Sequence, residues 1–273
     1  MKLPFKQVVA IHGVPRSGTS WLGQIINSSP RVRYRYQPLF SYAFKDKINP
    51  TSSRNEILAF FKELYDYEDA FLLQLDKIES GAYPKFEKAE VQTHLAYKEV
   101  RYHHILENVF QQVPEIKVIG IIRHPCAVIN SWLKAPKEFK PEWDVKKEWR
   151  RAPSKNQNRP EEFYGFEKWK EVADMFMRFR EEYPEQFYLV LYRDLIKNTL
   201  EEVRKIFHFI NLPVEKQTET FVAQSRSRTH ADTYAVFRNK TKDVDWKAEL
   251  PAFIREAIVN DLKGTKLEFL LHD

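Results

Sequence analysis

One stretch near the start restricts the fold more than any other. Val8-Val9-Ala10-Ile11 is a short, mostly β-branched apolar run, and the polar segment Gly13-Val14-Pro15-Arg16-Ser17-Gly18-Thr19-Ser20 follows it. The run suits a strand covered on both faces. Beyond the polar segment, Trp21 with Ile25 and Leu22 with Ile26 repeat at i, i+4 and form an apolar helix face. Gly13 and Gly18 permit backbone angles that other residues resist. The reading is therefore strand, tight loop, helix. At the loop the helix presents unpaired N–H groups and the positive end of its dipole, which together attract an anion.

The loop keeps the glycine spacing of a Walker A segment, G-x-x-x-x-G-K-[ST], but Thr19 stands where its lysine belongs. That lysine steadies the β/γ-phosphates of a nucleoside triphosphate, so triphosphate hydrolysis loses weight. Arg16, inside the loop, supplies a cation instead. A second unit has a similar build. Ile116-Lys117-Val118-Ile119-Gly120-Ile121-Ile122 reads as a strand that ends on Arg123-His124-Pro125, with Pro125 suited to a helix start. Ser131 follows Arg123 by eight residues, two turns along that helix. Arg123 can fork onto a phosphate with two bonds, and Ser131 can add a hydroxyl.

Pro15-Arg16-Ser17-Gly18-Thr19-Ser20-Trp21 resembles the 5′-phosphosulfate loop of sulfotransferases that use 3′-phosphoadenosine 5′-phosphosulfate (PAPS). Its arginine is similar to that of the carbohydrate branch, where the cytosolic small-molecule branch has lysine. The Arg123…Ser131 pair resembles the family's 3′-phosphate motif, and the likeness runs from about residue 7 to about 212. The resemblance implies that the loop N–H groups with Arg16, Ser17, Gly18, Thr19, Ser20 and Trp21 hold the 5′ end. It gives Arg123 and Ser131 to the 3′-phosphate and puts Tyr192 near the adenine. Arg238 and Lys240 are possible counterparts of a late basic loop that closes over the 3′-phosphate. Two registers compete for the third strand. Thr93-His94-Leu95 resembles the segment carrying the cytosolic branch's basic histidine, and Lys98-Glu99-Val100-Arg101 resembles the Lys-x-x-Arg segment of the carbohydrate branch. The second makes Lys98 a strand-end cation beside the sulfuryl group, where it and Arg16 would stabilise charge on the bridging oxygen. The carbohydrate branch carries Glu before Pro-Leu as a candidate base, but Gln37 occupies that place, and an amide cannot take a proton. Glu99 and His94 remain rival bases.

Elsewhere the patterning supplies a scaffold. Arginine and aromatic residues alternate from Arg31 to Tyr36, as in an edge strand or extended loop. Ser53 and Glu56 have capping-box spacing ahead of Ile57, Phe60, Phe61 and Leu64, and Asn198 with Glu201 repeats the device ahead of another helix. Residues 67–93 suit a peripheral helical insertion and a loop. Residues 135–165, rich in Pro, Lys, Arg, Asn and Glu, read as a long irregular segment, a lid or substrate loop in which Lys146, Lys147, Arg150 and Arg151 could meet an acidic acceptor. Phe187-Tyr188-Leu189-Val190-Leu191 is a further buried strand. Asp194 after it invites a Walker B reading, which is weak without a Walker lysine. Residues 225–250 are basic and polar, and a last helix is expected over 251–262. Alternating strands and helices predict one α/β domain spanning 1–273, with a mostly parallel central sheet and helices on both faces.

Composition bounds the rest. The 273 residues suffice for a sizeable core, and a formal net charge of +6 favours anionic ligands. Met1 to Lys6 leads directly into the first strand, no apolar run approaches bilayer length, and Cys126 is the single cysteine. The expectation is a cytoplasmic protein with no membrane anchor and no disulfide. No Cys/His cluster has zinc spacing, so no metal is expected. The aromatics are spread over helix faces, which argues against a nucleic-acid platform. The reading is sulfuryl transfer from PAPS to an acceptor hydroxyl, with an amine as the second choice, and on a carbohydrate first. The rivals are a small-molecule kinase with an altered P-loop and a non-catalytic polyanion binder.

Overall fold

The computed structural model describes residues 3–239 and 242–272. Five strands form one sheet: β1 (Gln7–His12), β2 (Val32–Tyr36), β3 (His94–Glu99), β4 (Lys117–Ile122) and β5 (Phe187–Leu191). Their order across the sheet is β2-β3-β1-β4-β5, and every pairing is parallel. The Arg31–Tyr36 stretch thus supplies an edge strand. A parallel sheet needs both faces covered, and the period of two does the sorting. Val9 and Ile11 pack on one side with Ala96, Ile119, Ile121 and Val190, against Leu22, Ile25 and Ile26 of α1 (Thr19–Asn27). Val8 and Ala10 point the other way, with Leu95, Tyr97 and Val118, into a core of aromatics that includes Phe60, Phe61, Phe110 and Phe176.

All strand C-termini end along one rim, which receives the loop after β1, Gln37 after β2, Lys98 and Glu99 of β3, Arg123 after β4 and Tyr192 after β5. The chain leaves β1 for the far edge, returns to β3 and crosses over β1 to β4, so the order reverses around β1. Open α/β sheets bind ligands at such a reversal, outside the strand C-termini. The Ser53–Glu56 capping box forms as the spacing predicts, at the start of the Arg54–Asp66 helix. The Asn198–Glu201 box does not, because the Thr199–Phe209 helix has no side-chain cap.

Two segments differ from the pattern reading. Residues 135–165 contain helices over Val145–Arg151 and Pro153–Asn156, and they bury Trp149, Phe163 and Tyr164. The buried aromatics tie down a segment whose composition reads as loop. Arg150 is drawn into ion pairs with Glu167 and Asp261. The region read as basic loop from residue 225 begins inside an unpredicted helix, Lys216–Ser227, whose Phe221 and Val222 are buried. Among the described residues no helix is long and apolar enough to cross a membrane.

Candidate active site

The loop after β1 is built around two left-handed residues. Arg16 has φ 72° and Gly18, which precedes α1, has φ 98°. Glycine suits the second place doubly, since a Cβ there would stand 2.6 Å from the Tyr192 ring. The Ser17 hydroxyl donates to the Val14 carbonyl at 2.6 Å and closes the turn. Ser17 is wholly buried and does not line the cleft, which corrects its assignment as a ligand side chain. It shapes the loop instead. The first turn of α1 carries no side-chain cap, so Thr19 and Ser20 present their end of the helix to the cleft.

That cleft is about 830 Å³ and is lined by Arg16, Gly18, Thr19, Ser20, Trp21, Lys98, Arg123, Ser131, Tyr192 and Arg238. The guanidinium groups of Arg16 and Arg123 therefore share one cavity. Arg16 Nε donates to Ser131 Oγ at 3.0 Å, and its Nη1 lies 3.3 Å from Glu138 Oε1. Arg123 donates from Nε and Nη2 to the two carboxylate oxygens of Asp243, at 2.6 Å each, and from Nη1 to the Arg16 carbonyl at 2.7 Å. The indole N–H of Trp169 fixes the Arg123 carbonyl at 3.0 Å. Tyr192 lies under the Arg123 guanidinium and edge-on to Trp21, which makes an aromatic corner where a flat ring could stack. The Arg238 backbone N–H donates to Ser225, and its guanidinium reaches the Thr233 carbonyl. Lys240 lies outside the described residues.

Lys98 is the chemical anomaly of β3. It is 2% exposed, its Nζ donates to Ser20 Oγ at 3.3 Å, and it stands 4.2 Å from the centre of the Tyr36 ring. Burial pulls its pKa down to about 7, against the opposing pull of Glu99 and Glu138.

Glu99 does not join it. Successive strand residues face opposite sides, so Lys98 reaches the α1 side and Glu99 the other. Glu99 Oε1 accepts the Leu39 N–H at 2.8 Å, and the carboxyl stays off the cleft wall. As a base it is misplaced; it pins the turn after β2. Burial pushes its pKa up to about 8, opposed by the Leu39 N–H, Lys98 and Arg101. The folded protein thus keeps a proton that the unfolded chain releases near pH 4.5. Between those values the folded state binds more protons, so this group's contribution to stability is full below pH 4.5 and is lost as pH rises towards 8. Glu99→Gln should flatten that decline, which for the parent is on the order of a few kcal/mol. Urea midpoints of parent and variant at pH 5 and pH 8 test it; equal slopes would refute the assignment.

His94 is corrected also. It opens β3 at the opposite rim, paired with Gln7 and Val32 and bonded to the Ile210 carbonyl. Four residues of strand put it ~13 Å from Lys98. Gln37, left-handed at φ 43°, accepts from Arg101 at 3.1 Å, and Arg101 grips both oxygens of Glu162. Asp194 is on the surface near Arg193 and does not line the cleft. Glu138, Asp243, Tyr164 and Tyr234 do line it, and sequence reading missed them because no motif spacing ties them to the loop.

Two half-buried cations of the cleft thus sit against carboxylates from distant segments: Arg16 against Glu138, Arg123 against Asp243. Buried charges need such partners. The same positions suit the two anionic ends of a bisphosphorylated nucleotide, and the residues present fit one.

Three comparisons bear on this cleft. The family model described as "Sulfotransferase family" matches residues 8–216. A Caenorhabditis briggsae protein that bears a provisional protein-tyrosine sulfotransferase name is 24% identical over 222 residues, covering 78% of this chain and 68% of its own length. A mouse sulfotransferase solved with 3′-phosphoadenosine 5′-phosphate (PAP) superposes with a TM-score of 0.56 at 13% identity, over 97% of this chain and 88% of the other. Retinol dehydratase in complex with retinol and PAP superposes with a TM-score of 0.55 at 15% identity, over 98% and 84%. The structural likenesses concern the fold.

Proposed function

The chain belongs to the sulfotransferase family and is a PAPS-dependent sulfotransferase, and from that premise we propose how its cleft divides the work and which acceptor it serves. PAPS, when bound, supplies the activated sulfuryl group and leaves as PAP. The nucleotide end is the α1 turn with Arg16, Thr19 and Ser20 for the 5′ side, Arg123, Ser131 and Arg238 for the 3′-phosphate, and Tyr192 with Trp21 around the base. The observation that carries the reading is Lys98, a buried cation 3.3 Å from Ser20 at the head of the anion loop. From there it can meet charge as it grows on the bridging oxygen, in a site already oriented before reaction.

The acceptor is a hydroxyl compound, and we propose a carbohydrate. Beyond Lys98 the cleft is walled by Tyr36, Phe40 and Phe71 with Gln37, Gln74 and Lys155. Flat aromatic faces beside amides and cations suit a ring that is apolar on its faces and rich in hydroxyls at its edge. Retinol and tyrosine are the hydroxyl compounds in the names of the related proteins, and they form the natural controls. The proposed compartment is the cytoplasm, supported by one buried cysteine, Cys126.

Titration calorimetry with PAP against ATP tests the nucleotide reading; tight ATP binding with no PAP binding would move the chain to the kinase reading. Transfer of labelled sulfate to oligosaccharides, phenols and tyrosine peptides tests the acceptor. Label on phenols or peptides alone would reject the carbohydrate.

A further inference from the structure

Gln37, Glu99 and His94 cannot take a proton in the cleft: Gln37 is an amide, Glu99 faces away, and His94 is at the wrong rim. Glu138 lines the cleft together with Arg16, Tyr36, Lys98 and Tyr164. Its Oε1 faces Arg16 at 3.3 Å, and the side chain keeps 17% of its surface exposed. The backbone under it is fixed. Its N–H donates to Ala135 at 2.9 Å, and the buried Trp132 indole donates to its carbonyl at 3.3 Å. The other carboxylates on the wall, Asp76, Asp243, Asp245 and Glu249, do not contact Arg16 in this way, and Asp243 is committed to Arg123. The Glu138 charge is felt at Lys98, Tyr36 and Tyr164, the groups that frame the transfer point.

We infer that Glu138 is the general base of the transfer, its carboxylate receiving the proton of the acceptor hydroxyl. The inference rests on the sulfotransferase reading. The balance is simple. The acceptor oxygen forms a bond to sulfur as the bond from sulfur to the bridging phosphate oxygen breaks. That electron pair stays on the phosphate, facing Lys98 and Arg16. The acceptor proton passes to Glu138 and leaves to water in the next opening of the cleft. The Arg16–Glu138 contact holds the carboxylate in place, and an arriving anion can take Arg16 over.

The test is Glu138→Gln, which keeps the oxygen facing Arg16 and removes the acceptor of a proton. We expect kcat to fall ~10²–10³-fold, within the range for loss of a general base. PAP affinity by calorimetry should be unchanged or tighter, because a negative charge beside Arg16 is gone. The deficit should also shrink across substituted phenols as the phenol becomes more acidic, since an ionised acceptor needs no base. A purely structural role would cost every acceptor equally. A kcat within tenfold of the parent, weakened PAP binding by the folded variant, or a deficit independent of acceptor acidity would each overturn the assignment. If the parent protein itself does not bind PAP, the sulfotransferase reading fails first, before any variant is compared.

Discussion

Lys98→Met lowers kcat by about 10²–10³-fold and leaves PAP affinity within a few fold of the parent. The size is that seen when one preorganised donor to a developing oxyanion is removed, ~3–4 kcal/mol. Lys98 is suited to such a differential role because of its environment. Among the described residues its one side-chain hydrogen bond is the 3.3 Å contact to Ser20, and burial pulls its pKa down to about 7. It contributes little to a ground state and much to a leaving oxygen that gains charge. Methionine keeps the length and removes the charge, so the core around β3 loses no packing. The empty variant should even gain stability at neutral pH. The unfolded chain holds the lysine proton up to about pH 10.5 while the fold releases it near 7, so the parent's stability rises with pH across that window and the variant's does not. Single-turnover sulfate transfer and PAP titration separate the two effects. A variant whose kcat falls less than tenfold would take Lys98 out of the chemistry.

What the sequence discloses here, and what it hides, follows from distance along the chain. The loop after β1 and the Arg123…Ser131 unit are legible because each is a local device. A buried strand, a turn and a helix start fall within fifteen residues, and their spacing alone places the side chains on the rim. Ser53 with Glu56 is legible for the same reason. Glu99 and His94 are misread by a simple geometric oversight. If Lys98 faces the loop, its neighbour must face away, and a residue four places earlier must lie at the other rim. Ser17 is hidden because a hydroxyl in an anion loop can equally well serve the loop, and here it bonds to Val14. Glu138 and Asp243 are hidden for a deeper reason. They reach Arg16 and Arg123 from 122 and 120 residues away in sequence, so only tertiary packing brings them to the cleft. Residues 135–165 read as loop because their composition is polar, while the few aromatics that fold them, Trp149, Phe163 and Tyr164, carry no periodicity.

The Arg123–Asp243 pair sets the other large expectation. Arg123→Ala weakens PAP binding by ~10²-fold and erases the preference for PAP over adenosine 5′-monophosphate, which lacks the 3′-phosphate. Asp243→Asn does the opposite and tightens PAP by several fold. Nε and Nη2 of Arg123 are both spent on Asp243 at 2.6 Å, and its Nη1 on the Arg16 carbonyl. A phosphate offers the same fork geometry as the carboxylate and more charge, so binding there is an exchange of partners, with no new cation exposed. Truncating one side of such an enclosed pair costs ~2–5 kcal/mol, which brackets a hundredfold change in affinity. Removing the Asp243 charge instead leaves Arg123 in place and takes away its competitor. Because Arg123 also ties the left-handed Arg16 backbone, its loss should loosen the loop and lower affinity for the 5′ end slightly. The ratio of the two nucleotide affinities is therefore the informative quantity, and calorimetry on parent, Arg123→Ala and Asp243→Asn supplies it. An Arg123→Ala protein that still prefers PAP tenfold or more would show that the 3′-phosphate is gripped elsewhere in the cleft. An Asp243→Asn protein that binds PAP more weakly would show that the carboxylate supports the bound state and does not compete with it.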